Sequence, residues 1–465
     1  MKMTTKQNHR KLSLVIAALV FLNIIAFKAQ AQYDNTLYNL SAVPQTTLYN
    51  PAFHPNYKYH FGLPFLSSDY VGFGSTGPKY ENAFYRRSDD SLSLDIDGIM
   101  KTLKDKNNIN SRSAVQILNF GMVWEDWYFS ASISDIADIN MNYSKDFANL
   151  LAYGNGGSVG ETVEIGKTSL KALHYREYAL GASYNFDDNW NFGARVKFLF
   201  GKSAIDTKVM EGSITTTPDY YYLTTKTNMV INTSLPQNKK DTTERVTKSE
   251  YLFYGANFGM GFDFGATYKL DDQWSFSASV LDIGWIQFDR YLKNYSNENV
   301  EWTYKGIDAM QFDGLSSTET EDRLTEIKDS LVDMFDLEEN ADRFKVQLTA
   351  KIYLAANYQL DDVSNVGVVL RNEIFRNVWR PSLTLSYYRD LDEHFSVIGS
   401  YTIADKSYAN IGLGVVAKLS MVQLFITTDN IVGVFVPDIV KHTNFHFGVN
   451  FVFPQGNSGK TMTDL

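Results

Sequence analysis

The chain of 465 residues contains no cysteine. That excludes a disulfide-stapled secreted domain, a lipid-modified N-terminal cysteine and any thiolate metal site. Beyond its first thirty or so residues it has no apolar run of the roughly 18–20 residues that a membrane-spanning helix needs, so helical spans are excluded too. Its seven histidines are scattered singly, which speaks against a transition-metal site. The formal charge of −10 is spread without a basic tract, so nucleic acid is not an expected partner. Two near-matches to chemical motifs fail on context. Gly156-Gly157-Ser158-Val159-Gly160 fits the nucleophile-elbow string but lies in a glycine-rich loop with no helix after it. The stretch Gly160 to Thr168 has one residue too many between its glycines for a phosphate loop. No catalytic constellation, cofactor site or metal site emerges, and the expectation is a non-enzyme.

What the sequence has is aromatic residues and alternation. Aromatics make up 14% of it, with 29 Tyr and 31 Phe, more than a soluble core readily buries. In Tyr254–Leu270 one parity carries Tyr254, Phe258, Met260, Phe262, Phe264, Ala266 and Tyr268, and the other Gly255, Gly259, Gly261, Asp263, Gly265 and Thr267. A strand sends successive side chains to opposite faces, so this is one greasy face and one small, polar face. Its length and terminal aromatics fit a lipid-facing strand with interfacial girdles. A turn repeats as Asn185-Phe186-Asp187-Asp188-Asn189-Trp190 and Lys269-Leu270-Asp271-Asp272-Gln273-Trp274, with weaker copies at Leu360–Val363 and Tyr388–Phe395. Each joins two alternating runs, the pattern of a tight hairpin. Threading strands through these turns predicts an all-β fold, a transmembrane antiparallel β-barrel of about 14 strands. Charged residues on the polar parity, Arg195, Lys197, Asp263, Lys345, Lys351 and Lys418, are expected to line the lumen, because near the bilayer midplane a lipid-facing charge costs about 2–4 kcal/mol.

The expected organisation is a signal peptide at 1–31, an N-terminal segment at 32–57, the barrel at 58–453 and a polar tail at 454–465. The signal reading rests on basic Lys2, Lys6, Arg10 and Lys11, apolar Leu12–Phe27 and the small-x-small site Ala29-Gln30-Ala31. It implies export to the outer membrane, whose lipid is then the first partner. External loops are expected at about 75–111, 142–173, 206–250 and 290–343. The last contains the clearest helical spacing in the chain, Leu324, Ile327, Leu331, Met334 and Phe335, read as a cap on the barrel mouth. Glycines on the lumen side of Tyr254–Leu270 suggest either a kink opening a lateral exit or room for packing inside.

Three features carry a family resemblance. Asn50-Pro51-Ala52 ahead of the first strand resembles the N-terminal segment of the fatty-acid-channel (FadL-like) barrels and of the type IX secretion PorP/SprF-like barrels. Thr428-Asp429-Asn430 resembles a late-strand string of Bacteroidota barrels, and Phe445 to Phe453 resembles the aromatic last strand of outer-membrane proteins. The chain as a whole resembles a Bacteroidota outer-membrane family of unknown function. The resemblance implies a FadL-like barrel whose N-terminal segment, with Asn50, Pro51 and Ala52, plugs the lumen. Asp90-Ser91-Leu92, Asp241-Thr242-Thr243 and Asp329-Ser330-Leu331 resemble the O-glycosylation sequon of that phylum, at Ser91, Thr242 and Ser330. Two functions follow: a passive conduit for a hydrophobic or amphipathic ligand, or an accessory barrel of type IX secretion or surface display that binds secretion-system or surface proteins. A continuous apolar tunnel would favour the first and a sealed lumen the second.

Overall fold

The structure, a computed structural model, describes residues 34–454 apart from 78–82, 90, 155, 167, 220–221, 237–250, 252–254, 305–336, 376–377, 405–406 and 436–441. The signal reading, the helical cap over 324–336, the tail beyond Pro454, Thr242 and Ser330 lie outside these residues.

Fourteen strands form one closed antiparallel ring. In order they are Tyr57–Gly62 continued by Asp69–Ser75, Lys106–Trp124, Trp127–Ser144, Ser169–Asn185, Trp190–Thr216, Phe258–Lys269 and Trp274–Phe288. Then come Phe344–Gln347 continued by Ala350–Asp361, Ser364–Phe375, Val378–Asp390, Phe395–Ala404, Ser407–Leu419, Val422–Thr428 and His442–Pro454. The last strand pairs with both halves of the first, which closes the ring. Closure leaves the wall without an unpaired edge.

Three of the short turns use one device. Asp187, Asp271 and Asp392 each accept hydrogen bonds from the two backbone N–H groups two and three residues on, at 2.7–2.9 Å. An aspartate bonding its own following backbone pre-forms a tight turn. Three short turns, at 125–126, 187–189 and 271–273, open a strand with a tryptophan that lies directly across from a tyrosine. Trp127–Tyr184, Trp190–Tyr268 and Trp274–Tyr358 have ring centroids 4.6–4.8 Å apart. The result is an aromatic band along the short-turn rim, as a membrane interface requires.

Alternation sorts the wall into two faces. Phe264 is 51% exposed on the outside while the adjacent Asp263 is 0% exposed within. The rule breaks in two neighbouring strands. Asp282 has φ 61°, and across that point the inward parity passes from Ser277, Ser279 and Leu281 to Ile286 and Phe288. Opposite it the strand pauses at Leu348–Thr349, and the inward set changes from Phe344, Val346 and Leu348 to Lys351 and Tyr353. This corrects one expectation. Lys345, expected in the lumen, faces outward with its ammonium 5.7 Å from the ring centre of Trp285, while Val346 and Leu348 point inward.

The long-loop end is structured. Trp190–Thr216 runs past the wall and forms a hairpin with Leu223–Ser234 within the stretch 206–250 assigned to an external loop. Asn294–Tyr304, Glu338–Asn340 and Thr162–Glu164 widen this sheet, and the helix Lys145–Tyr153 lays Phe147 and Leu150 on its apolar patch. Asp95 caps the short helix Ile96–Thr102 by accepting from Gly98 at 2.8 Å.

If the outward face is the lipid face, Phe264→Arg should destabilise the refolded barrel in vesicles by about 2–4 kcal/mol. Phe258→Arg, closer to the long-loop rim, should cost about 0–1 kcal/mol. Equal costs in urea titrations of the two variants would contradict the assigned depth.

Candidate functional site

The lumen is occupied by the chain's own N-terminus. Within 34–53, Leu37, Tyr38, Leu40, Val43 and Ala52 are at most 1% exposed. Leu37, Leu40 and Val43 pack on Tyr388, Ile398, Val416 and Phe425 from four consecutive strands. Tyr38 packs on Leu281, Tyr353 and Val369 and stacks on the Tyr353 ring at 5.2 Å. Each buried aliphatic side chain contributes about 1.5–3 kcal/mol, so this seat is a substantial one.

Polar contacts fix the seat's register. Asp429 accepts from the backbone N–H of Asn35 at 3.1 Å and of Thr36 at 2.7 Å, and from the Thr36 hydroxyl at 2.5 Å. The Thr428-Asp429-Asn430 string is therefore the receptor for the start of the segment. The Asn35 amide donates to Ser382 and Thr384, and that of Asn39 to Ser386. At its other end Asn50-Pro51-Ala52 crosses a pair of glycines, Gly193 and Gly265, that lie opposite each other in adjacent strands. A Cβ on Gly193 would run into the Pro51 carbonyl, and one on Gly265 into the Asn50 amide oxygen. These glycines make room for backbone. Of the two readings of these glycines, room inside rather than a lateral exit fits their placement, and Phe258–Lys269 pairs with both neighbours with one register shift, at Phe262–Phe264 opposite Asp282.

The wall is interrupted elsewhere. Gly62 pairs with Asn450 and Asp69 with Phe447, so seven steps of the first strand face three of the last. The extra residues bulge at Leu63–Ser68, where Phe65 takes φ 63° and points its ring outward, 60% exposed. Such a backbone conformation for a bulky residue costs about 1–3 kcal/mol. The neighbouring strand carries its own irregularity at Gln116–Leu118. Gln45 of the N-terminal segment reaches this point. Its amide donates to the Ser67 carbonyl at 2.7 Å and to Asn450 Oδ1 at 2.7 Å, and its oxygen accepts from Asn450 at 3.0 Å.

Between the segment and an apolar cluster of Tyr175, Leu199, Ile286, Phe288, Val346 and Leu348 lies a layer of charge. Lys197 is its hub, 2.5 Å from Asp282, 2.9 Å from Asp263 and 3.6 Å from Glu177. Arg195 lies 3.7 Å from Asp263 and donates to the Thr47 carbonyl, and Lys351 binds Asp282. Arg371 and Arg380 hold Glu373 at 2.6 and 3.5 Å, and Arg112 holds Asp138 at 3.1 Å. Removing one partner of such a buried pair strands the other charge at a cost of about 3–5 kcal/mol. Around these groups a cavity of about 130 Å³ remains, reaching Leu48, Tyr49, Ser68, Gln116 and His446. At its edge His446 stands between two partners, with Nε2 2.8 Å from Ser68 Oγ and Nδ1 2.9 Å from Asp34 Oδ2. Tyr49 donates to the same carboxylate, and burial, with Asp34 beside it, pushes its phenol well above the usual value.

Of the residues singled out from sequence, the structure brings Arg195, Lys197, Asp263 and Lys351 into one network. Lys418 stands apart at the short-turn rim, 5.2 Å from the ring centre of Tyr57, and Lys345 is outside. Ser91 is exposed in a turn, its hydroxyl 2.5 Å from Asp89. Ser158 of the elbow-like string sits in a short turn, Gly156–Ser158, of the long-loop end. Alternation alone missed Asp282, Glu177, Glu373, Arg371 and Arg112. Asp282 reaches the lumen only through the parity switch at its own backbone.

The family of unknown function DUF5723 matches residues 51–429. No curated protein sequence matches. Among solved structures, a mutant of the TodX monoaromatic hydrocarbon channel is 11% identical over 92% of this chain and 97% of its own, with a TM-score of 0.43. A Pseudomonas aeruginosa FadL homologue is 11% identical over 92% and 100%, with a TM-score of 0.43. The Ralstonia pickettii toluene transporter TbuX is 11% identical over 88% and 94%, with a TM-score of 0.42.

The glycine pair offers a direct test. Overpacking at Gly265→Val should weaken the seat of Asn50-Pro51-Ala52 by about 1–3 kcal/mol. With Ala52→Cys as the single thiol of a cysteine-free chain, maleimide labelling should then speed up about 5- to 150-fold. An unchanged rate would show that the glycines do not hold the segment.

Proposed function

We propose, for a chain that belongs to the DUF5723 family of unknown function, a gated conduit of the outer membrane that passes small amphipathic molecules. In the state described here its own N-terminal segment acts as the plug, Asn50-Pro51-Ala52 included. The filled lumen by itself suits a sealed scaffold as well as a closed gate, and no continuous apolar tunnel meets Asn50-Pro51-Ala52 among the described residues. The observation that favours the gate is the Gln45 latch. A single side chain of the plug bonds both edges of the bulge in the first strand, the Ser67 carbonyl on one side and Asn450 on the other. Withdrawing the plug therefore also releases the bulge at Leu63–Ser68.

The surroundings of that bulge indicate the cargo. Inside it the cavity presents Gln116, Arg112, Asp138 and His446, and outside it Phe65 and Leu66 are exposed on the apolar face. A molecule with one polar end and one apolar end finds a matching surface on each side. A pure hydrocarbon would meet a lining of buried charge and would have to desolvate it. Towards the long loops the apolar cluster fills the lumen, so the bulge is the side route nearest the cavity. The parity of the wall and its aromatic rim support insertion in lipid. The export reading of the first 31 residues supports the outer membrane. The sequon-like Ser91, in an exposed turn of the long-loop end, is compatible with modification on the external side.

The gate can be tested by holding it shut. In proteoliposomes Gln45→Ala should raise flux of a fluorescent short-chain amphipath about tenfold, the effect of removing roughly 1.4 kcal/mol of latch. Bridging Gln45→Cys and Asn450→Cys with a short bis-maleimide should abolish it. Equal flux through bridged and unbridged barrels would rule out passage controlled by this segment.

A further inference from the structure

Ser68, His446 and Asp34 lie far apart in sequence, 378 and 412 residues across their two contacts, and serve no evident purpose in passage. Their order is that of an acyl-transfer relay. Asp34 accepts at Nδ1 of His446, which places the ring proton there and leaves the Nε2 lone pair for the Ser68 hydroxyl, 2.8 Å away. The imidazole is held in plane by Tyr70 and Phe425, with ring centres 5.7 and 5.4 Å away. Ser68 and His446 are 5% and 2% exposed, and all three residues border the 130 Å³ cavity. A fourth group faces the same space. Gln116 is 2% exposed, its Oε1 accepts from Ser67 at 3.0 Å, and this orientation leaves its Nε2 without a partner. A buried amide N–H without an acceptor is costly to keep, so it points to an oxygen that arrives with a ligand.

We propose that the luminal cavity is an esterase site. Ser68 is its nucleophile, His446 its general base, Asp34 the residue that positions the imidazole, and Gln116 a donor to the developing oxyanion. The substrate class is an ester of a short-chain acid, since the cavity has room for a small acyl group only. Ser68 Oγ bonds to the carbonyl carbon while its proton passes to His446 Nε2. The tetrahedral oxygen takes the Gln116 N–H, and the C–O bond to the alcohol breaks as His446 returns the proton to the leaving oxygen. A water then repeats the sequence on the acyl-serine, releasing the acid and restoring Ser68. Asp34 belongs to the plug, so the relay is complete only while the plug is seated. The inference rests on the cavity and does not require passage through the wall.

The test uses the full-length barrel in detergent micelles, with a fluorophosphonate probe and p-nitrophenyl acetate. The expected result is covalent labelling mapped to Ser68, hydrolysis lost in Ser68→Ala, and a loss of about 10²- to 10⁴-fold in His446→Gln. Asp34→Asn, which keeps the shape and disturbs the tautomer, should lower hydrolysis while leaving the folded band on unheated gels unchanged. Gln45→Ala, which loosens the latch and with it the hold of Asp34 on His446, should still label at Ser68 but more slowly than the natural chain. An anchoring role alone would give no covalent adduct. Ser68 unlabelled in both the natural chain and Gln45→Ala, or labelled equally fast in His446→Gln, overturns the proposal.

Discussion

A closed ring of strands gives every wall side chain two destinations, outer face or lumen, and two-residue alternation decides between them. This constraint is why a chain of modest hydropathy can close an apolar outer face around a polar interior. Half of each strand is free to be polar, provided its charges neutralise one another inside. Lys197 shows how strictly that condition is met, with Asp263, Asp282 and Glu177 all within 3.6 Å of one ammonium. Arg195 and Lys351 complete the balance, three cations against three carboxylates, because a buried charge left unpaired is costly.

Where alternation fails, the structure gains something else. The left-handed backbone at Asp282 and the pause at Leu348–Thr349 switch parity in adjacent strands at the same height. Below the switch the lumen wall is polar and receives the N-terminal segment. Above it Ile286, Phe288, Val346 and Leu348 close the interior with an apolar cluster. The bulge at Leu63–Ser68 does the same for the side of the barrel, turning a continuous strand into two halves with a strained phenylalanine between them. A β-bulge next to a site re-aims side chains, and here it turns Ser68 towards His446.

This division explains what could be read in advance. The Asp-Asp turns, the aromatic rim, the strand number and the inward course of Arg195, Lys197, Asp263 and Lys351 follow from local pattern, because each depends on neighbours within one hairpin. Lys345 lies outside, against the period-two expectation, because a two-residue pause that no local signal marks switches the parity of its strand. Asp282 was missed for the same reason. The seat of the N-terminal segment was legible only as a resemblance at Asn50-Pro51-Ala52. Its receptors, Asp429 and the Gly193–Gly265 pair, are recognisable as such only once the ring has closed. The contacts of Ser68, His446 and Asp34 had no signature at all, since the three residues come from the bulge, the final strand and the N-terminal segment.

The same three pieces set a relation between gating and the interior chemistry. Gln45 and Asp34 belong to one segment, and both act on the region where the first strand breaks and the last strand passes. A movement that frees the bulge also withdraws Asp34 from His446. The described arrangement therefore cannot hold the wall open and keep the relay aligned at the same time. If both properties operate, they alternate: a closed barrel with an ordered imidazole, then an open one without its orienting carboxylate. A segment held by more than a dozen hydrogen bonds and a few aliphatic contacts makes such alternation all-or-none, because each contact is individually weak and all are released by one displacement.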